Sequence, residues 1–297
     1  MNSILITGSN GFIGSHLILK LLKSNFTVGV INRSYPKDPN LSNFQNFKSF
    51  CYDGSEDSIK AAIVATAPQI VVHLASYFVP RHKPQDVSPL ISSNIDFPSK
   101  LIDIMSQMGV NKFINTGTYW QHYQDAPYDP ISLYAATKQA FEDILQYYVN
   151  TQKIDAITLK LFDTYGVGDT RRKVLNLLLD AAISEESLQL SPGEQRINLV
   201  NVDDVVKAYE VAINIILNRS GYQHDLYGIA DRTTYSLHEL AEIVAEVSGK
   251  KIQAEWGALP YRDREVMKPW STHKILPDWQ PTVTIREGLI QIVEREI

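Results

Sequence analysis

The sequence predicts an α/β protein built on a doubly wound parallel sheet. Short apolar runs alternate with amphipathic helix patterns five times before residue 140, and most of the connections between them are short. This alternation is typical of parallel strands joined by crossover helices that cover both faces of a sheet. With 297 residues, the chain can form one large core and a smaller additional lobe, expected toward the C-terminus.

The first strand runs directly into a glycine-rich turn and then into a helix. An apolar run at residues 4–6 predicts a buried strand, and an amphipathic pattern at residues 13–23 predicts the helix. Glycine permits tight turns and a close approach of the backbone to a phosphate. Free N–H groups at a helix N-terminus attract an anion. The dinucleotide contacts predicted here are Gly8, Asn10, Gly11, Phe12, Ile13 and Gly14.

The second predicted strand, residues 26–31, ends at Asn32, Arg33 and Ser34. At this position of a dinucleotide-binding fold, an acidic residue binds the ribose 2′-hydroxyl of NAD, whereas an arginine accommodates the 2′-phosphate of NADP. Asn32 replaces the carboxylate without repelling a phosphate, and Arg33 supplies a cation. We therefore predict that NADP(H) is preferred, with NAD(H) also possible. The alternative is that Arg33 is an ordinary solvated surface residue.

Three further strand patterns follow before residue 120. They are predicted at residues 50–53, 70–74 and 113–116, with helices at residues 55–65 and 90–108 between them. The run at residues 70–74 is suited to a strand buried on both faces, and His73 within it is expected to be packed rather than a ligand. Residues 77–89 contain three prolines and are expected to form a loop beside the ligand crevice.

A candidate catalytic group lies around the end of the fifth strand. Thr116, Gly117 and Thr118 end that strand, and a helix pattern that contains Tyr134 and Lys138 follows after a loop. Because these last two residues are four apart, they share one helical face. A tyrosine is a poor acid or base at neutral pH unless a nearby cation favours its phenolate, and Lys138 can supply that cation. The alternative is a pair of polar residues on a solvated helix surface.

The second half of the chain contains candidate phosphate-binding residues. Strands are predicted at residues 157–161 and 226–229, and helices at residues 204–217 and 236–248. Asp163 follows the first of these strands, and its direct contact with a diphosphate would be repulsive. Arg196 is a candidate for a ligand's phosphates. Arg262 and Arg264 form a pair suited to bidentate phosphate binding; the alternative is a surface ion-pair cluster with the neighbouring acidic residues.

Composition excludes several classes of function. The net charge of -5 and a pI near 5.8 give no electrostatic reason to bind nucleic acid or an anionic membrane. The single cysteine, Cys51, cannot form an internal disulfide, and no spacing of histidines or cysteines predicts a metal site. No apolar run reaches the length of a membrane-spanning helix, and we expect a cytoplasmic protein.

These motifs together resemble those of the extended short-chain dehydrogenase/reductase family, of the NAD-dependent epimerase/dehydratase type. The resemblance is carried by Thr-Gly-x-x-Gly-x-x-Gly at residues 7–14 and by the pair of Tyr134 and Lys138, and it extends over essentially the whole chain. It implies a Rossmann fold with a smaller C-terminal substrate lobe. The implied Rossmann domain comprises residues 1–165 and 197–232, and the implied substrate-binding lobe comprises residues 166–196 and 233–297.

The resemblance also implies roles for individual residues. Thr118 corresponds to the catalytic serine or threonine that hydrogen-bonds the substrate oxygen, Tyr134 exchanges the proton, and Lys138 also holds the nicotinamide ribose. Asp53 corresponds to a contact with adenine, although it could equally form a turn or cap a helix. The further cofactor contacts expected are Leu74, Ala75 and Thr116, and Arg196, Arg262 and Arg264 are expected to bind substrate; no metal is expected.

Within the family, the likeness is greatest to the sugar-nucleotide 4-ketoreductases that make dideoxyhexoses, the CDP-abequose and CDP-paratose synthases. The residues that carry it include Gly117, Thr118 and residues 159–161 and 191–202. This likeness implies an NADPH-dependent reduction of the 4-keto group of a nucleoside-diphosphate deoxyhexose. The expected context is lipopolysaccharide O-antigen biosynthesis, and the expected assembly is a homodimer.

Two other functions are compatible with the fold. An NAD-dependent 4-epimerase of nucleotide sugars would retain its cofactor, and Arg33 together with the missing strand-end carboxylate counts against it. A non-catalytic NADP-binding sensor or scaffold would keep the fold without the chemistry. The intact set of Thr118, Tyr134 and Lys138 counts against that second alternative, because a sensor need not retain all three.

Overall fold

The computed structural model describes residues 2–184 and 186–296, and a parallel sheet forms its centre. The strands of the chain are β1 (Ser3–Thr7), β2 (Thr27–Asn32), β3 (Phe47–Cys51), β4 (Ile70–His73), β5 (Lys112–Thr118), β6 (Asp155–Leu161), β7 (Asp163–Tyr165), β8 (Leu188–Gln189), β9 (Arg196–Ile197), β10 (Leu199–Asn201), β11 (His224–Ile229), β12 (Tyr235–Ser236) and β13 (Ala254–Glu255). The central sheet has seven strands in the order β11-β6-β5-β4-β1-β2-β3, and all its neighbours are parallel. The predicted doubly wound parallel sheet is therefore confirmed.

Helices cover both faces of this sheet. The α-helices that the structure describes are α1 (Phe12–Lys23), α2 (Glu56–Thr66), α3 (Val87–Ile91), α4 (Phe97–Gln107), α5 (Leu133–Asn150), α6 (Val174–Ser184), α7 (Val202–Asn218), α8 (Leu237–Ser248) and α9 (Ile285–Glu296). Ile4 and Ile6 of β1 share an apolar core with α1 and α7, whereas Leu5 points into the opposite core with α2, α4 and α5. Because both faces are covered, the strands are apolar at successive positions rather than at alternate ones.

Two predicted elements differ in the structure. The helix predicted over residues 90–108 is present, because helical backbone is continuous from Val87 to Gln107, but a π-helical segment at Ser92–Asp96 separates α3 from α4. This segment turns the side chain of Asn94 fully inward, where it is hydrogen-bonded. The strand predicted at residues 50–53 lies earlier, as β3, because its first residues pair with Val28 in β2 and so extend the sheet. Asp53 consequently lies beyond the strand.

A third apolar core lies outside the central sheet. It is formed by α6, α8 and α9 together with residues of the short strands, and its members include Leu178, Leu240 and Leu289. The helix predicted at residues 236–248 is present as α8, whereas α6 was not predicted. The boundaries expected between a Rossmann domain and a substrate lobe remain a prediction.

The structure also bears on membranes and metals. Among the residues that it describes, no helix is both long and apolar enough to cross a membrane. Within the same part of the chain, no group of three or more histidine, cysteine, aspartate or glutamate side chains could hold a metal ion.

Candidate active site

The turn between β1 and α1 leaves no space for side chains. Gly8 has a φ of +76°, and a Cβ there would lie 2.5 Å from the backbone nitrogen of Ala75. A Cβ on Gly14 would lie 2.3 Å from the carbonyl oxygen of Gly8, so α1 begins directly against the turn. Gly11 precedes the helix and makes no side-chain cap, which leaves its first N–H groups without a capping side chain. This backbone cradle fits the pyrophosphate of a dinucleotide.

Two asparagines hold the loop after β2 against this turn. The backbone N–H of Ser9 donates to Oδ1 of Asn32 at 3.0 Å, and the side-chain amide of Asn10 donates to the carbonyl oxygen of Ser34 at 3.3 Å. Arg33 is exposed between these contacts. Its guanidinium makes no hydrogen bond or ion pair with another residue in the described part of the chain. The cation predicted to meet a 2′-phosphate is therefore available beside the turn.

One cavity joins this turn to the predicted catalytic group. Its volume is about 240 Å³. Residues lining it include Gly8, Gly11, Phe12, Ile13, Gly14, Leu74, Thr116, Thr118, Tyr134, Lys138, Asp163, Arg171 and Lys173. Residues that are far apart in the sequence thus face a single space, in which a cofactor bound at the turn and a second ligand would meet.

Thr118 lies where β5 ends and a short 3₁₀ helix, Tyr119–Gln121, begins. Its Oγ1 accepts a hydrogen bond from the backbone N–H of Trp120 at 3.3 Å, and its own N–H donates to Oε1 of Gln121 at 3.0 Å. In this capping arrangement the Thr118 hydroxyl oxygen is an acceptor, so its proton remains to be donated. Thr118 can therefore offer a hydrogen bond to an oxygen in the cavity.

Thr116, the neighbouring candidate, has its hydroxyl engaged within the protein. Its Oγ1 donates to the carbonyl oxygen of His73 at 2.7 Å and lies 2.7 Å from the hydroxyl of Tyr209. The His73 side chain itself is fully buried among phenylalanine rings. Burial holds its pKa well below the usual range, and the charge of Lys138 adds to that effect. His73 is a packed residue, as predicted.

Tyr134 and Lys138 face the cavity from the first turns of α5. Burial raises the pKa of Tyr134 to about 12, although hydrogen bonding to Ser76 and the charge of Arg171 partly offset it. Arg171, which the sequence did not single out, is thus one cation that favours the phenolate. The same role for Lys138 remains a prediction. Tyr134 is therefore a neutral phenol at physiological pH, which is the form able to donate a proton.

Lys138 is 2% exposed. Its ammonium makes no ion pair or hydrogen bond with any other residue that the structure describes. Burial lowers its pKa to about 8, and the charge of Glu142 opposes this shift. A buried ammonium without a direct partner has lost hydration and has gained little in return. A polar ligand in the cavity, such as a ribose hydroxyl, would supply the missing contact.

A buried asparagine that sequence analysis missed supports the loop beside Tyr134. Oδ1 of Asn94 accepts hydrogen bonds from the Ser76 hydroxyl at 3.1 Å and from the N–H of Tyr77 at 2.8 Å. Its Nδ2 donates to Oγ1 of Thr137 on α5 at 3.0 Å. The signal that could have revealed it is an amide side chain on the buried face of an otherwise apolar helix pattern.

Two cations that sequence analysis also missed, Arg171 and Lys173, line the cavity. Arg171 forms a bidentate ion pair with Asp169, and its guanidinium lies 4.6 Å from the centre of the Phe12 ring at the start of α1. Lys173 pairs with Asp163 at 3.1 Å, and the Tyr119 hydroxyl also donates to Asp163 at 2.9 Å. The carboxylate of Asp163 is thus compensated within the protein. A run of three basic residues, 171–173, was the available signal.

None of the three arginines predicted to bind substrate phosphates lines this cavity. Arg196, in β9, donates from Nε to the hydroxyl of Thr234 at 2.8 Å and pairs with Glu239 at 3.3 Å. These contacts hold it against the beginning of α8. Its role in binding substrate remains a prediction.

Arg262 and Arg264 are likewise paired with carboxylates. Arg262 lies 3.8 Å from Glu265, and Arg264 forms an ion pair with Asp129. The guanidinium of Arg264 also lies 4.5 Å from the centre of the Tyr123 ring. The segment that contains both arginines is therefore fastened to the loop after β5, which borders the cavity. Both residues remain predicted phosphate contacts, but only for a part of the ligand that extends beyond the cavity.

Asp53 forms a local turn. Its Oδ1 accepts hydrogen bonds from the N–H and the hydroxyl of Ser55, at 2.9 and 2.6 Å, just before α2. The hydrogen bond from the Ser55 hydroxyl is the main reason that the pKa of Asp53 is lowered. This geometry agrees with the alternative that Asp53 forms a turn. Its predicted contact with adenine remains a prediction. Ala75, a further predicted cofactor contact, donates its N–H to Oγ1 of Thr7 at 3.1 Å.

The family model described as "NAD dependent epimerase/dehydratase family" matches residues 4–223. The chain belongs to this family, and it is an NAD(P)-dependent enzyme of the extended short-chain dehydrogenase/reductase type. The match contains the glycine-rich turn and the cluster of Thr118, Tyr134 and Lys138. The expected family is therefore confirmed.

Individual proteins similar to this chain act in nucleotide-sugar chemistry. CDP-abequose synthase of Yersinia pseudotuberculosis is 28% identical over 90% of this chain and 91% of its own length. CDP-abequose synthase of Salmonella typhimurium is 27% identical over 98% of this chain and 97% of its own length. The crystal structure of UDP-glucose 4-epimerase from Thermotoga maritima with UDP-glucose superposes with a TM-score of 0.84 at 25% identity, over 99% of this chain and 98% of that one.

Proposed function

We propose that this protein uses NADPH to reduce the 4-keto group of a deoxyhexose attached to a nucleoside diphosphate, with a CDP-linked sugar as the first candidate. The observation that carries the proposal is the single cavity that joins the backbone cradle at Gly8–Gly14 to Thr118, Tyr134 and Lys138. The two CDP-abequose synthases support the choice of a CDP-linked substrate.

The chemistry assigned to these side chains follows from their protonation states. A carbonyl oxygen in the cavity accepts a hydrogen bond from Thr118 and takes the proton of Tyr134, whose raised pKa keeps the phenol neutral until then. A nicotinamide cofactor held at the Gly8–Gly14 turn would supply the hydride for the carbonyl carbon. Lys138 stabilises the phenolate left on Tyr134 and binds the nicotinamide ribose. The carbonyl thereby becomes an alcohol.

We assign NADP(H) as the cofactor because the Arg33 guanidinium has no partner among the residues that the structure describes and no carboxylate ends β2. Asn32 is engaged with Ser9 and presents no negative charge to a 2′-phosphate. The family description itself names NAD, so NAD(H) is the alternative.

We assign contacts with the substrate diphosphate to Arg171 and Lys173, which line the cavity. Arg196, Arg262 and Arg264, which the sequence predicts to bind the substrate's phosphates, do not line this cavity and remain candidates for contacts outside it. Asp169 fixes the guanidinium of Arg171 through Nε and Nη2, so Nη1 is the group that we assign to a phosphate oxygen. We also place the enzyme in the cytoplasm, in the supply of sugars for a lipopolysaccharide O-antigen.

The proposed reaction is tested by measuring how many molecules of NADPH are consumed for each sugar that is reduced. Purified protein is incubated with NADPH and a panel of CDP-, dTDP-, GDP- and UDP-linked 4-keto-6-deoxyhexoses. We expect one NADPH to be consumed for each 4-keto sugar reduced, and we expect the protein to carry no tightly bound NAD after purification. Absence of NADPH consumption with every sugar on the panel would reject the proposal.

The second candidate function is 4-epimerisation of a nucleotide sugar. It is favoured by the similarity over nearly the full length to a UDP-glucose 4-epimerase. An epimerase returns the hydride to the same sugar, so it uses no net cofactor. Retained NAD and the interconversion of two 4-hydroxy sugar nucleotides without net oxidation would identify this function.

We further propose that the enzyme is a homodimer. Val87 and Ile91 stand four residues apart on α3 and are both exposed, although they are large apolar residues. Helix α3 packs beside α5, so a partner subunit bound to these two residues could also contact α5. A monomeric mass in light scattering at micromolar concentration would contradict this assembly.

A further inference from the structure

A network of buried polar side chains connects Thr118, in the cavity wall, to the C-terminal part of the protein. Its members are Gln121, Glu142, Lys160 and His122, and it ends on the ring of Trp270. Apart from the residue at its first end, none of these lines the cavity. The proposed reaction therefore leaves this network without a role.

Gln121 makes the contact with Thr118. The Gln121 side chain is fully buried, and its Oε1 accepts the hydrogen bond from the N–H of Thr118 at 3.0 Å. Its Nε2 donates to Oε1 of Gln139 at 2.7 Å and to Oε2 of Glu142 at 3.3 Å. Because the amide is held at both ends, it fixes the backbone from which the Thr118 hydroxyl projects.

Glu142 is in turn fixed by a buried cation. Its Oε1 lies 3.1 Å from Nζ of Lys160, and the two side chains are 7% and 2% exposed. The ammonium of Lys160 also lies 2.7 Å from Nε2 of His122. Since an ammonium can only donate, Nε2 is the acceptor, and Nδ1 of His122 donates to the carbonyl oxygen of Ala126 at 3.1 Å. His122 is therefore neutral and held in one tautomer.

The network ends at Trp270, a residue far from Thr118 in the sequence. The ring of His122 stacks on Trp270 with centroids 3.9 Å apart and planes 16° apart. The next residue, Ser271, donates from its N–H and its hydroxyl to Asp125 at 2.6 and 2.9 Å. The loop that leaves Thr118 is thus fastened both to the core and to the segment before α9.

We propose that Gln121, supported by the ion pair of Glu142 and Lys160, is a positioning residue that sets where the Thr118 hydroxyl meets the substrate oxygen. This inference rests on the proposed function, in which Thr118 binds that oxygen. A buried ion pair is weak evidence for stability, because apolar side chains of similar volume often serve as well. Here the polar groups are hydrogen-bonded in sequence from His122 through Lys160 and Glu142 to Gln121, and Gln121 accepts the hydrogen bond from Thr118.

The test is a double-mutant cycle between Gln121 and Thr118. Gln121→Met has a similar length but cannot accept the hydrogen bond from Thr118. We expect it to lower kcat about 10- to 100-fold, since small misplacements of reacting groups have effects of that size, while KM and the Kd for NADPH change by less than about twofold. We expect Thr118→Ala to lower kcat as well, and Gln121→Met to lower it no further in the Thr118→Ala background.

The cycle separates failure of the inference from failure of the proposed function. Unchanged kcat in Thr118→Ala would reject the role of Thr118 itself. A large loss in Thr118→Ala, combined with a Gln121→Met effect that is equal in both backgrounds, would overturn only the inference. Gln146→Met is the matched control, because that glutamine contacts His224 and no residue of the cavity, and it should leave kcat unchanged.

A second measurement can overturn the proposal on the wild-type protein alone. The amide of Thr118 should exchange its hydrogen with solvent as slowly as the interior amides of β5, because Gln121 holds it in a buried hydrogen bond. Fast exchange at residue 118 in the wild-type protein, followed by NMR, would overturn the proposal. Slow exchange that is lost in Gln121→Met would support it.

Discussion

Lys138 and Arg264 are both cations that the sequence assigns to ligand binding, yet their surroundings are opposite. Lys138 is buried in the cavity wall without a direct partner among the described residues, and burial lowers its pKa to about 8. Arg264 has a side chain 41% exposed, is paired with Asp129 and lies over the ring of Tyr123. A ligand can complete the contacts of Lys138, whereas it must compete with a carboxylate for Arg264. What distinguishes the two sites is the availability of the cation rather than its type.

The largest effect is expected at the proton donor beside Lys138. Tyr134→Phe keeps the ring but removes the hydroxyl, so turnover should fall by roughly 10² to 10⁴. Binding of NADPH, followed by fluorescence titration, should survive. Lys138→Met should harm both turnover and cofactor binding. Near-normal turnover in Tyr134→Phe would show that Tyr134 is not the proton donor, and Lys138 would then have no phenolate to stabilise.

Arg33 is a second cation whose side chain is unpaired in the described part of the chain, so it belongs with Lys138 in this comparison. Its replacement, Arg33→Ala, should remove a charge-assisted bond of roughly 1.5–3 kcal/mol and so weaken NADPH binding by about 10- to 100-fold. Binding of NADH should be unchanged, because NADH lacks the 2′-phosphate. The control is Lys37→Ala, which removes a nearby cation from the same loop. Equal losses for both cofactors, or no loss for either, would contradict the preference for NADP(H).

Arg171 and Arg264 are both paired, but only Arg171 lines the cavity. We expect Arg171→Gln to raise KM for the nucleotide sugar about tenfold, because a charge-assisted contact with a phosphate is lost. The same change at Arg264 should raise KM by less than about threefold, since its ion pair is exposed and outside the cavity. Equal effects on KM would show that the cavity does not define the phosphate site.

The smallest effect is a pH dependence of stability. The pKa of Lys138 is about 8 in the folded protein and near its usual value of about 10.5 when unfolded, so the unfolded chain binds more protons between these pH values. Lys138 therefore makes stability increase as pH rises from about 8 to about 10.5. The Tm of the wild type relative to Lys138→Met should rise by a few degrees over that range. A constant difference would mean that burial does not penalise the charge.

The fold was largely predictable because its signals are local. Each strand of the parallel sheet is a short apolar run, and each helix has an amphipathic period, so their order follows from the chain itself. The π-helical segment around Asn94 was not predictable, because it depends on hydrogen bonds to Tyr77 and to Thr137 on another helix. The early start of β3 depends on its pairing with β2.

The sequence by itself determined the parts of the site that a few neighbouring residues define. The glycine turn follows from steric limits on φ, and the shared direction of Tyr134 and Lys138 follows from helical periodicity. Only the tertiary structure decided which cations are available. Arg264 is paired with a carboxylate 135 positions earlier, and Arg171 lies over the ring of Phe12, from the far N-terminal part of the sequence. Such pairings depend on how distant segments approach one another, because charges interact across space and not along the chain.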